Sequence, residues 1–171
     1  MKKQRVKALL EVSLMVAFLS VISQIAIPTV LGVPITLQIF AVALIGYLLG
    51  TKKSLLTIAI YISLGIIGIP VFSSFGGGFF HLMGYTAGFI LGFVPLTALC
   101  SIRVKRLKIP LGIFGTFICH FIGASQYSFV GKVPLLTSLI TMSLPYILKD
   151  ILLVVLAYFV AEILKKRIKI N

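Results

Sequence analysis

Lysine and arginine mark this chain at intervals, and between the marks lie long apolar stretches. The basic groups are Lys2, Lys3, Arg5 and Lys7; Lys52 and Lys53; Arg103, Lys105, Arg106 and Lys108; and Lys165, Lys166, Arg167 and Lys169. Of the sixteen basic residues, only Lys132 and Lys149 stand outside them. The stretch between successive groups is long enough to cross a bilayer twice, at about 20 residues per spanning helix. Loops rich in Lys and Arg stay on the cytoplasmic side. Every basic group therefore belongs to one face, and every uncharged turn between groups to the other. The pattern predicts an all-α, multi-pass integral membrane protein of six transmembrane helices with both termini in the cytoplasm.

Six such helices and their loops consume the chain. It has 171 residues, 60% of them hydrophobic, and a mean hydropathy of +1.18. Residues 1–171 read as a single membrane domain with no room for a soluble catalytic or nucleotide-binding unit. The net charge of +13 does not point to nucleic acid, because the basic residues are split among helix ends instead of gathered on one soluble face. Topology and contact with the anionic headgroups of the lipid bilayer account for them. Cys100 and Cys119 fall on helices of opposite direction, with no spacing that suggests a metal site or a disulfide. The apolar run from Ala8 to Ile27 is longer than a signal-peptide core and lacks an obvious cleavage site, so it reads as a retained first helix.

The expected helices cover 8–27, 36–50, 54–71, 84–102, 110–130 and 139–164. Pro28 ends the first, and an outer loop with Gly32 and Pro34 follows. Gly50 to Lys53 turns the chain inside, and 70–83 forms a second outer segment. Arg103 to Lys108 is an inner turn. Pro110 suits the first turn of the fifth helix.

Three acids are present: Glu11, Asp150 and Glu162. Glu11 lies one turn after Lys7. Glu162 lies three and four residues before Lys165 and Lys166. Both read as interfacial helix pairs. Asp150 differs, because a carboxylate at the centre of a spanning helix costs roughly 2.5–3.5 kcal/mol on insertion scales. Counting about 1.5 Å per residue from Pro145, it lies about 8 Å inside the outer surface. It must face the bundle interior or a wet cavity, either as a substrate group or as a partner for Lys149 or a neighbouring polar side chain. Lys149 either snorkels to the interface or attracts a substrate carboxylate. His120, near the middle of the fifth helix, reads as a buried, hydrogen-bonded neutral imidazole in preference to a proton relay. His81 is either an entrance residue or an exposed one.

The strongest local signal runs from Gly76 to Phe93. Gly76, Gly77 and Gly78 permit close backbone approach. Gly84, Gly88 and Gly92 recur every four residues, a small-residue stripe that lets helices pack closely in lipid. Phe72, Phe75, Tyr85 and Phe89 are either the walls of a small-molecule pocket or interfacial aromatics. Thr36, Gln38, Thr86 and Gln126 are the neutral hydrogen-bonding groups near the same outer side.

These residues resemble a family. The runs GVPITLQ (32–38) and LGIIGIPVF (64–72), the triple glycine, the G-x-T-x-G-x-x-x-G-F pattern (84–93) and P-Y-I-x-x-D (145–150) together resemble BioY. BioY is the biotin-binding substrate-specific (S) component of energy-coupling factor (ECF) transporters, and the likeness extends over nearly the whole chain. It implies a six-helix S-component fold in a prokaryotic plasma membrane, a vitamin pocket near the extracellular face and an outer loop between helices 1 and 2 that covers the substrate. It also implies a transmembrane coupling protein and two ATPase subunits as partners, which drive toppling of the loaded component, and no cofactor. Family members read G-P-T-G-G-Y where this chain has Gly84 to Phe89, so a tyrosine hydroxyl is absent at Phe89 and another appears at Tyr85. The family's helix 6 acid matches Asp150. The Lys that often follows three residues later is replaced by Leu153, with Lys149 as a substitute that points about 100° away along the helix. The family's A-x-x-x-A docking surface on helix 1 has its nearest equivalent in Ser13-x-x-x-Ala17, small but altered.

The implied site residues are thus Asp150, Lys149, Thr36, Gln38, Phe72, Phe75, Gly77, Tyr85, Thr86, Phe89 and Gln126. Biotin suits them chemically, since its ureido N–H groups can donate to Asp150 and its apolar body can pack on Phe and Gly surfaces. The alternatives are another carboxylated vitamin such as lipoate, and a membrane structural protein without a ligand. An enzyme finds no support, because no nucleophile–base pair, metal cluster or cofactor motif is present. The chain lacks a phosphate-binding G-x-x-x-x-G-K-[ST] loop, so energy for uptake would come from partners.

Overall fold

The structure is a computed structural model and describes residues 2–29 and 33–168. Gly32 and Lys169, used in the sequence reading, lie outside the described residues. The α-helices are α1 (Lys2–Ser23), α2 (Gln38–Leu49), α3 (Thr51–Ile66), α4 (Ala87–Cys100), α5 (Lys108–Gly131), α6 (Leu135–Met142) and α7 (Leu144–Ile168). All but α6 correspond to the six expected spans.

The bundle is organised around α2. Every residue of this helix except Phe40 and Leu49 is buried, as expected of a segment that is apolar all round. It packs on α1, α3, α4 and α7. A single residue, Gly50, joins it to α3. Its φ of 74° lies in the left-handed region, where a Cβ is strained, so glycine permits the reversal without a longer loop.

Helices α4 and α5 make the closest pair. A Cβ placed on Gly92 would lie 2.8 Å from the Cα of Cys119, and one on Gly115 would lie 3.1 Å from the Cα of Leu96. Small residues on both helices therefore let the two backbones approach, as the stripe predicted. Gly84 does not take part. It lies before α4, and its nearest neighbour would be the His81 carbonyl at 3.4 Å.

Several spans differ from the expected lengths. At about 1.5 Å per residue, the 12 residues of α2 and the 14 of α4 measure about 18 and 21 Å. A hydrocarbon core is about 30 Å thick. Among the described residues, Lys3–Ser23 and Lys105–Gly131 are long and apolar enough to cross on their own. Beside the shorter helices lie segments of irregular backbone with pairing of their own. Two short strands, β1 (Ala26–Ile27) and β2 (Ile35–Thr36), run antiparallel with Ala26 opposite Thr36. A bridge joins Phe72 to Gly76, and 3₁₀ turns cover Ser73–Phe75 and Phe79–Met83. Non-helical backbone at membrane depth requires such internal pairing.

The last expected helix, 139–164, is corrected. The chain breaks at Ser143 into the eight-residue α6 and the long α7. Pro145 is the reason: it lacks an N–H, so it fits the first turn of a new helix but not the interior of a continuous one.

At the basic end, Glu11 of α1 lies between Lys7, at 3.9 Å, and Lys53 of α3. Glu162 of α7 lies between Lys165, at 3.3 Å, and Lys108 of α5, at 2.9 Å. The same-helix pairs Glu11–Lys7 and Glu162–Lys165 were expected. The links from one helix to another, through Lys53 and Lys108, were not legible from spacing.

Candidate functional site

The α4–α5 contact fixes the first wall of the site. Gly123 of α5 lacks a side chain, and the Phe89 ring of α4 lies against it; a Cβ there would come within 2.5 Å of the ring. Phe89 then meets the His120 imidazole edge-to-face at 5.7 Å. His120 is almost fully buried, and its Nε2 stands 3.1 Å from Asp150 Oδ2 on α7. An ionised Asp150 accepts the Nε2 proton, and Nδ1 is buried without a hydrogen-bond partner.

Asp150 is 4% exposed, so its charge requires compensation. Lys149 supplies it. The ammonium lies 2.6 Å from Oδ1, although the residues are adjacent on the helix and their Cα–Cβ bonds diverge. The flexible four-carbon stem curls back. The approach falls outside hydrogen-bond geometry, and Oδ1 is left without a directed donor. The same ammonium donates to the Thr36 carbonyl at 3.0 Å, tying α7 to the α1–α2 connection.

A second polar group braces the opposite side. Gln38 donates from Nε2 to the Ser23 hydroxyl at 3.1 Å and the Tyr61 hydroxyl at 3.0 Å. Tyr61 in turn donates to the Val71 carbonyl. The Gln38 oxygen lies at the edge of hydrogen-bond distance from the Thr36 hydroxyl, at 3.4 Å. This network fixes the amide at the start of α2, where one end of the side chain is consumed by structure.

Thr29 and Val33, from the described parts of the α1–α2 connection, meet Tyr146 of α7 beside the site. The Tyr146 hydroxyl lies 2.9 Å from the Val33 carbonyl and 3.2 Å from the Thr29 hydroxyl. Thr29 also donates to the Val33 carbonyl. Val33 is buried against Met142 and Tyr146, with Phe89 and Tyr127 packed beside them.

Together these elements enclose about 560 Å³ of empty space, counted to its open mouth. Thr36, Gln38, Thr86, Phe89, Lys149 and Asp150 all line it. Thr86 precedes the first residue of α4 and makes no capping bond with its side chain.

The structure places the other expected site residues off this cavity. Phe72 is fully buried, edge-on to Tyr61 and stacked on His81, with its ring occupying the notch at Gly65. Phe75 is 71% exposed. Gly77 packs on the backbone of Gly68 and Ile69. Tyr85 is half-exposed and pairs with Tyr127. Gln126 packs beside Gly88 in the α4–α5 contact. Sequence reasoning did not select His120, Tyr146, Val33, Ile90 or Phe93, all of which line the cavity. His120 had a usable signal as the ionisable residue in the apolar body of its helix. Phe93 had none.

A sequence model of the BioY family matches residues 1–170. The probable biotin transporter BioY of Pyrococcus horikoshii is 37% identical over 152 residues, covering 88% of this chain and 91% of that protein. The biotin transporter BioY of Thermotoga maritima is 32% identical, covering 94% of this chain and 96% of that protein. The crystal structure of the S-component for biotin from an ECF-type ABC transporter superposes with a TM-score of 0.89 at 28% identity, covering 97% of this chain and 94% of that one. The fold is that of an ECF S-component, and this chain, a membrane protein, belongs to the BioY family.

Proposed function

We propose that this chain is the biotin-binding component of a vitamin-uptake transporter and not an enzyme. The observation that carries the reading is Asp150: a buried carboxylate, held by His120 and charge-balanced by Lys149, lining a mainly apolar cavity. An ionised carboxylate has lone pairs for further donors beyond these two partners. The ureido ring of biotin offers N–H donors of that kind. Its apolar body matches the Phe89, Ile90 and Phe93 surfaces. Lipoate carries the same carboxylate, but its dithiolane ring has no N–H to offer Asp150. The names of the relatives support the same ligand.

The basic groups support placement in a prokaryotic plasma membrane as a multi-pass protein, with both termini cytoplasmic. The cavity then opens outward. Ser13 and Ala17 are both exposed on α1 and form the small-residue surface against which a transmembrane coupling protein docks. Two ATPase subunits supply the energy.

Expression of the chain with an energising module in a host that neither makes nor imports biotin is expected to restore growth on trace biotin. Growth no better than with the module alone would contradict the proposal. Tyr146→Phe tests the contact between α7 and the α1–α2 connection. It removes the hydroxyl whose one proton joins α7 to the Val33 carbonyl, a hydrogen bond worth about 1 kcal/mol net. Biotin release measured by stopped flow is expected to quicken by about fivefold, with association little changed.

A further inference from the structure

A second cavity of about 610 Å³ lies at the basic end of the bundle, and no residue lines both cavities. Tyr47 and Gly50 come from the α2 end, Ser101 and Arg103 from the segment after α4, Lys108 from the start of α5 and Lys165 from the end of α7. We propose that this cavity binds a phosphate-bearing anion, chiefly the headgroup of an acidic lipid. A soluble phosphate would offer the same chemistry. The inference does not rest on the vitamin site.

The charge balance is the first argument. Three cations on three separate elements converge on one cavity. Glu162 is shared between Lys108 and Lys165 and compensates one of them. Among the described residues, no carboxylate lies within 4.0 Å of Arg103. The side chains of Lys108 and Lys165 are only 13% and 24% exposed, so water screens their repulsion incompletely. Like charges brought together out of water disfavour one another, and a bound anion offsets both penalties.

Geometry is the second. The Arg103 guanidinium lies over Gly50, where a Cβ would stand 3.2 Å from Nη2. A planar guanidinium matches a phosphate with two parallel hydrogen bonds, and the lysines act as point charges beside it. Leu48 and Ile102 give the cavity an apolar flank. Basic pockets between spanning helices on the cytoplasmic side take acidic lipid headgroups, and this end carries all of the basic groups.

The test uses the full-length protein, delipidated in neutral detergent. Phosphatidylglycerol, phosphatidylcholine of the same acyl chains, and inorganic phosphate are titrated separately, with bound ligand counted by native mass spectrometry. Phosphatidylglycerol is expected to bind at least about tenfold more tightly than phosphatidylcholine, corresponding to more than one cation contact near the surface. Arg103→Gln removes a group with no carboxylate partner, so the variant should keep the wild-type Tm while its phosphatidylglycerol affinity falls about fivefold. Lys105→Gln alters a neighbouring cation outside the cavity and should leave affinity unchanged. Equal affinity for the two lipids, or phosphatidylglycerol binding unaffected by Arg103→Gln, would overturn the site. Inorganic phosphate that binds with the same Arg103 dependence and displaces phosphatidylglycerol would overturn the lipid as occupant.

Discussion

Asp150→Asn is expected to weaken biotin binding by about 30-fold or more while the protein remains folded. The substitution keeps the shape of the side chain and removes its charge. A hydrogen bond to a charged group contributes about 1.5–3 kcal/mol, and each 1.4 kcal/mol is tenfold in affinity. Removing one member of a fully buried ion pair ordinarily destabilises a protein strongly. Here Lys149 is 32% exposed and can turn to water, so the fold should lose little. His120 keeps a hydrogen-bond partner in the Asn side chain. Binding and stability should therefore separate: equilibrium titration shows the loss, and thermal unfolding in detergent shows a Tm within a few degrees of wild type. A variant that binds biotin normally would remove Asp150 from the site. A variant that unfolds would make it a structural residue.

Gly88→Ala carries the other large effect, through packing. The added Cβ would lie 2.5 Å from the Ile122 carbonyl oxygen, 2.6 Å from Gln126 Cβ and 2.9 Å from Gly123 Cα. Two of these are backbone atoms that cannot rotate away, so α4 and α5 must separate. Overpacking of this kind costs about 1–3 kcal/mol and outweighs the gain in helix propensity, about 1 kcal/mol. Because Phe89 and His120 sit on opposite sides of that contact, biotin affinity should fall along with stability. Gly84→Ala is the matched control, since its Cβ would meet nothing nearer than 3.4 Å. Its Tm should stay near wild type. Equal behaviour of the two variants would contradict the α4–α5 packing described above.

The two glycines also show how far the sequence could be read. Both belong to one stripe by spacing, yet only Gly88 lies within α4, because helix boundaries depend on local turns that periodicity does not resolve. The basic groups were legible because lipid and water sort charge without reference to tertiary contacts. Asp150 was legible for the same reason: a carboxylate in an apolar helix is conspicuous by its cost. Its partners were not equally visible. His120 lies thirty residues away in sequence, and a pairing across helices leaves no local pattern. Lys149 seemed to point elsewhere by helical geometry, which fixes the Cα–Cβ direction but not the end of a long flexible side chain. Phe72, expected as a cavity wall, packs at Gly65 in the core instead. An aromatic residue in a membrane protein fits a pocket, an interface or a core equally well until its neighbours are known. The short α6 was obscured because its apolar residues run on into those of α7, and only Pro145 signals the break.

The most direct test is calorimetric titration of biotin into the detergent-purified protein after endogenous ligand has been removed, with lipoate titrated in parallel. Tight, saturable binding of one biotin per chain, with lipoate much weaker, is the predicted result. It follows from a carboxylate acceptor that biotin can satisfy and lipoate cannot. A folded, emptied protein that fails to bind biotin, or binds lipoate as tightly, would contradict the account. The substitutions at Tyr85, Phe89 and Leu153 would then be the first positions to examine for a different ligand.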